Sequence, residues 1–128
     1  MTDEQTEHYF DWAATSPCDA EILRNALETT IEKWGNPSSV HTAGKEAREI
    51  FEDARKLCGK VLGVPAEKLY FTSGGTEADN MAIKGVIFAS LEDKKHIITS
   101  KIEHKAVLET CKFLEVNGLA DVRYLDVC

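Results

Sequence analysis

Leu69-Tyr70-Phe71-Thr72-Ser73-Gly74-Gly75-Thr76-Glu77 runs from a short apolar stretch through a serine–glycine turn into a polar start. Leucine, two aromatics and a β-branched threonine, closed by a glycine pair, predict a short buried strand over 69–72. Thr76 and Asp79 have the spacing of a capping box with a carboxylate at its third position. A helix is expected from Thr76 to about Ser90, with Ala82, Ile83, Val86 and Ile87 facing inward.

The same alternation continues downstream. His96–Thr99 reads as a second strand. Lys105–Asn117 reads as a helix with Val107, Cys111 and Leu114 on its apolar face, stopped by Asn117-Gly118. Val122–Val127 reads as a third strand. Strand, helix, strand, helix, strand predicts an α/β fold with a parallel sheet and right-handed crossovers. Such a sheet needs helices on both faces. Upstream the pattern is helical. Leu23, Leu27, Ile31 and Trp34 recur at helical spacing from Asp19 onward, and Gly35-Asn36-Pro37-Ser38-Ser39 breaks that helix. A second helix carries Ala47, Ile50, Phe51, Ala54, Leu57, Cys58, Val61 and Leu62 as one apolar stripe, ended by Gly63 and Pro65. The expected division is a helical segment over 1–65 and the α/β segment over 66–128.

Composition limits the partners. The chain has 128 residues, 43% of them hydrophobic and 29% charged, with a net charge of -7. That balance argues against nucleic acid or an anionic membrane, which need clustered Lys and Arg. No apolar run approaches the roughly 18 residues that suggest a membrane span, and Met1–Phe10 has no basic or apolar leader pattern. Cys18, Cys58, Cys111 and Cys128 form no CxxC pair and no zinc-type cluster, so reduced thiols, no metal and a cytoplasmic location are expected.

Two places can carry chemistry. The first is Thr72–Glu77. Glycines let the backbone approach an oxygen-rich anion, the free N–H groups of a first helical turn point at it, and the helix dipole favours negative charge. Thr76 adds a hydroxyl. The alternative is a plain glycine turn with Thr76 acting only as N-cap. The motif is neither GxGxxG nor a Walker A loop. The second place is Ser100–Lys105. It follows the second strand, and carboxyl ends of neighbouring parallel strands line one crevice. His104 is therefore expected at the same edge as Gly75 and Thr76, able to stack on a flat cofactor or move protons; the alternative is a solvated helix start. Lys105 beside it reads as a surface lysine rather than a Schiff-base lysine. His41 reads as solvated or pocket-facing, and Cys111 as core.

Four stretches, taken in order, resemble a known family. Tyr9-Phe10-Asp11 with Ala14-Thr15-x-Pro17 is similar to the opening of the NifS/IscS-type cysteine desulfurases, class-V aminotransferase relatives of PLP fold type I. Gly35-Asn36-Pro37-Ser38-Ser39-x-His41 resembles the family's signature loop. Phe71–Asn80 resembles its pyridoxal-phosphate (PLP) turn, and Ile97–Leu108 its strand and stacking histidine. The resemblance implies that Gly75 and Thr76 bind the PLP phosphate. It implies that His104 stacks on the PLP ring and acts in proton transfer. It implies that residues 1–65 belong to the small-domain and dimer-contact region and that 66–128 begin the large domain.

The family converts L-cysteine to L-alanine and an enzyme persulfide, a sulfur transfer that feeds scaffold proteins for iron–sulfur clusters or tRNA thiolation, and it works as a homodimer. The family's Schiff-base lysine, its sulfur-accepting cysteine and the arginine for the substrate carboxylate match nothing in these 128 residues. The chain is therefore expected to be the N-terminal part of such an enzyme, inactive alone and needing a second half. The alternatives are a non-catalytic module that dimerises with an intact desulfurase, or part of a related PLP lyase such as selenocysteine lyase.

Overall fold

Among the described residues, three of the four α-helices start at a side-chain cap, and the fourth starts at a glycine turn. The structure, a computed structural model, describes residues 8–127; Cys128 lies outside them. The chain divides between Leu69 and Tyr70 into two units, each described by itself.

The first unit is helical. Helix α1 spans Ala20–Glu32. Asp19 caps it, its Oδ1 accepting the N–H groups of Glu21 at 2.9 Å and Ile22 at 3.1 Å. Helix α2 spans Thr42–Leu62 and is capped by His41, whose Nδ1 accepts the Gly44 N–H at 3.4 Å. His41 is exposed, as expected of a solvated histidine, and it also caps the helix. The loop before it is tied to the helix. Asn36 Oδ1 accepts the Ser38 N–H at 2.9 Å, and Arg48 Nε donates to the Pro37 carbonyl at 2.6 Å.

Two glycines permit this approach. A Cβ at Gly35 would lie 2.1 Å from the Ala43 carbonyl oxygen, and one at Gly44 would lie 2.6 Å from that of Ser39. Gly63, at φ 69°, supplies the left-handed residue that ends α2. Within α2 Arg55 packs on the Phe51 ring at 4.8 Å and donates to the Leu69 carbonyl.

The second unit is a parallel β-α-β piece with one further helix. Helix α3 spans Gly75–Ala89, β1 spans His96–Ser100, α4 spans Lys105–Val116 and β2 spans Asp121–Leu125. Strands β1 and β2 pair in parallel, from His96 opposite Asp121 to Ser100 opposite Leu125. Leu114 and Cys111 of α4 have no exposed surface. Ile87 of α3 and Ala120 join Leu114 in the core, with Ile83 and Ile97 partly buried against it. After α4, Gly118 at φ 66° turns the chain, and the Leu119 N–H returns to the Leu114 carbonyl at 2.8 Å.

Three expectations are corrected. Residues 69–72 form no strand, although Leu69 has extended backbone. A strand exists only where a neighbour offers a ladder, and among the described residues β1 and β2 pair with each other alone. The expected three-stranded order is therefore a two-stranded sheet preceded by an unpaired stretch. Nor do Thr76 and Asp79 form a capping box. The helix begins one residue earlier, with Gly74 as N-cap and no side-chain cap bond. The reaching carboxylate is that of Glu77, whose Oε2 accepts both the N–H and the hydroxyl of Ser73 at 2.6 Å. Val86 also differs from its expected inward position, being 70% exposed.

Glycine substitutions separate close approach from helix propensity. Gly44→Ala forces a methyl onto backbone oxygens and is expected to cost about 1–3 kcal/mol in urea unfolding. Gly85→Ala, inside α3 where a Cβ meets nothing, is expected to stabilise by about 0.5–1 kcal/mol. Equal shifts in the two variants would contradict the packing described.

Glu77 makes a second test. The Ser73 hydroxyl, then the Ser73 N–H, lower its carboxyl below the ordinary carboxylate value. A lowered folded-state value stabilises the start of α3 above the unfolded carboxyl's value of about 4.3. That contribution is lost as pH falls through the folded-state value. Ser73→Ala is expected to move the Glu77 titration upward and to bring acid fraying of α3 to higher pH, read by carboxyl NMR; an unmoved titration would contradict the bond.

Candidate functional site

The packing of α3 against α4 sets their first turns beside one another in the second unit. Between them lies a cavity of about 420 Å³, within the range of small-molecule sites. Thr76 and Asn80 line it from α3, and His104, Lys105 and Glu109 from the start of α4. Thr76 and His104 therefore reach one site, as their positions after successive α/β turns predict. Gly75, the third expected residue, is not itself a wall of the cavity but immediately precedes Thr76 at the first position of α3.

The turn before α3 has an unusual economy. Gly74 is extended, at φ 164°, a conformation open to any residue, and Gly75 has no positive φ. A Cβ at either would meet nothing within 4 Å. Neither backbone strain nor packing among the described residues asks for glycine there. The first N–H groups of α3 receive no side-chain cap, and the Thr76 hydroxyl has no hydrogen-bond partner among the described residues. Open space, uncapped donors and a free hydroxyl at the positive end of a helix suit an anionic oxygen group. Glu77 places a negative charge in the same turn, but its carboxylate faces back to Ser73.

His104 is the N-cap of α4. Its Nδ1 accepts the Ala106 N–H at 3.1 Å. Sequence reasoning placed the residue at the cavity but missed the cap, because Ser, Thr, Asp and Asn dominate that position. Helix α4 thus holds the ring by one nitrogen. Glu103 is engaged elsewhere, accepting from the Ser100 hydroxyl at 2.8 Å. Lys105 is exposed on the first turn of α4. Deeper along the groove the Lys84 ammonium sits over the Phe113 ring, 4.7 Å from its centroid.

None of the described cysteines lines this cavity. Cys18 is exposed and Cys58 partly buried. Burial, and then the negative charge of Glu115, push the Cys111 thiol upward, away from nucleophilic character. No helix among the described residues is long and apolar enough to cross a membrane.

Comparison with known proteins places this geometry. The profile of the class-V aminotransferase family matches residues 8–128. Cysteine desulfurase IscS of Dictyoglomus turgidum is 50% identical over 121 residues, 94% of this chain and 30% of that protein. Cysteine desulfurase IscS of Methanosarcina thermophila is 46% identical over 127 residues, 99% of this chain and 31% of that protein. Among solved structures, a NifS-like protein superposes with a TM-score of 0.79 at 43% identity, over 88% of this chain and 30% of its own. SspA in complex with cysteine gives 0.81 at 42% identity, over 91% of this chain and 33% of its own.

The chain thus spans about a third of the length of these relatives, and its α/β fold is that of the NifS-like, PLP fold-type I structures. With the profile running from His8 to the last residue, and the glycine turn and the histidine-capped helix both inside it, the chain belongs to the class-V aminotransferase family.

Proposed function

We propose that this chain is the N-terminal part of a PLP-dependent cysteine desulfurase and supplies one wall of its cofactor site. The observation that carries the reading is the cavity shared by Thr76 and His104, beside a turn at whose glycines an added Cβ would meet nothing among the described residues. In this reading the N–H groups opening α3 and the Thr76 hydroxyl hold the cofactor phosphate, and Gly75 lets it approach. The His104 ring lies over the pyridine. Bound PLP would supply an electron sink for bond breaking at the amino-acid substrate. The residues present bind, orient and cover; they provide no lysine motif for covalent attachment.

The named relatives support cysteine as substrate: two are cysteine desulfurases, and SspA was solved with cysteine. The reading assigns residues 1–65 to the small-domain and dimer-contact region and 66–128 to the first part of the large domain. It implies a cytoplasmic homodimer once complete, serving iron–sulfur assembly or tRNA thiolation through an acceptor protein.

The test uses the chain titrated with PLP and, separately, with inorganic phosphate. Weak binding of PLP is expected. Gly75→Ala puts a methyl into the open space without disturbing α3, since alanine suits a first helical position. It is expected to weaken PLP about tenfold, or roughly 1.4 kcal/mol, with helix content unchanged. With a dithiol reductant added to discharge the persulfide, sulfide release from L-cysteine is expected only on co-expression with a polypeptide carrying the lysine motif and the sulfur-accepting cysteine. PLP binding indifferent to Gly75→Ala, or sulfide released by the chain alone, would overturn the reading.

A further inference from the structure

A ring nitrogen can cap a helix only as an acceptor. Nδ1 of His104 takes the Ala106 N–H at 3.1 Å, so it carries a lone pair and no proton. A neutral imidazole has one N–H, and that proton is then on Nε2. Protonating Nδ1 would turn two N–H groups on each other and place a cation at the positive end of α4. Nε2 has no hydrogen-bond partner among the described residues, and His104 lines the cavity with Thr76.

The charged groups around that cavity are Lys84, Lys105 and Glu109. Lys84 is engaged with the Phe113 ring. Glu103, next in sequence, is tied to Ser100. None of these carboxylates accepts from Nε2.

We propose that the backbone N–H of Ala106 sets the tautomer of the neutral His104 ring, with its proton on Nε2. The ring then meets a ligand in this cavity as a hydrogen-bond donor, suited to a phenolate, carboxylate or phosphate oxygen. It cannot take a proton at Nδ1 without releasing the start of α4. Ala106 is a positioning residue, acting through His104. The choice of ligand rests on the PLP reading above; the tautomer does not.

His41 provides an internal comparison. It caps α2 through the same nitrogen, at 3.4 Å. His8 and His96 cap no helix, although His96 Nδ1 lies 3.9 Å from the Asp121 carboxylate.

The test is a long-range ¹H–¹⁵N spectrum of the ¹⁵N-labelled chain without cofactor, at pH about 8, where an ordinary imidazole of pKa about 6.5 is neutral. Resonances are assigned with His41→Asn, His96→Asn and His104→Asn. For His104 a fully unprotonated Nδ1 and a fully protonated Nε2 are expected, while the nitrogens of His8 show exchange-averaged shifts. A proton on Nδ1, or averaging of His104 like that of His8, would overturn the proposal.

Urea unfolding adds a second arm. His104→Ala is expected to lower the folding equilibrium about fivefold, the loss of a cap. His104→Asn, whose amide oxygen can cap, is expected to stay within about twofold of the parent. Equal losses in both variants would count against the cap; if neither folds, the parent spectrum decides. Adding PLP separates the two readings. The expected tautomer without PLP binding leaves this proposal standing and removes the cofactor assignment, while PLP binding to an averaged His104 does the reverse.

Discussion

The contact of α3 with α4 around Leu114 brings two helix starts, far apart in sequence, to one cavity. Leu114 and Cys111 are wholly buried, and Ile87 and Ala120 complete a core of few side chains. In so small a core each side chain matters more than in a large one, because few others share the work of excluding water. Loosening this contact would separate Thr76 from His104 before disturbing either helix. The chemistry proposed for the cavity is therefore a consequence of packing several residues away from it.

The two helix starts answer the same physical problem in opposite ways. Each leaves N–H groups that no carbonyl of its own helix can reach. Helix α4 satisfies one internally, with the His104 ring. Helix α3 leaves its own to whatever approaches, behind glycines that keep the space clear. The capped start thereby gains a fixed ring, and the uncapped start keeps open donors. Placed side by side, they form a site with a rigid aromatic donor on one side and an anion-accepting turn on the other. Ser73 and Glu77 fit this division, since their mutual bonds hold the carboxylate back on the turn.

Much of this was readable in the residues. The periodicity of α4 identified Cys111 and Leu114 as its inward face, and alternation placed β1, α4 and β2 within a residue or two. The resemblance to the desulfurases, carried by Gly35–His41, Phe71–Asn80 and Ile97–Leu108, is matched by the family profile. What escaped has definite causes. Residues 69–72 have strand propensity, but propensity names no partner, and the ladder is absent. The capping pattern at Thr76 and Asp79 competed with one offset by two residues, in which Gly74 is the N-cap and Glu77 reaches back to Ser73. Histidine caps carry no strong sequence signal, so His41 and His104 read as solvated or ligand-facing when each has a structural bond as well.

The apolar surface left outside the core follows from the same geometry. Burial along β1 and β2 alternates, so one face of the pair packs and the other stays open, with Ile98 67% exposed. On the far side of α3, Ala82, Val86, Ile97 and Ile98 edge an apolar groove of about 430 Å³ beside β1. A parallel strand with an unpaired edge and an apolar flank has unmet backbone donors and acceptors next to surface that water solvates poorly. Helices α1 and α2 likewise expose Leu23, Leu27, Leu57 and Val61 at helical spacing. Side chains arranged so regularly have the pattern of packing surfaces rather than of solvated faces. The cavity at Thr76 and His104 differs in kind, since polar and charged side chains, Thr76, Asn80, Lys84, His104, Lys105 and Glu109, stand among its walls. Within the second unit, then, the apolar groove beside β1 and the cavity that suits an anion are separated by the thickness of α3.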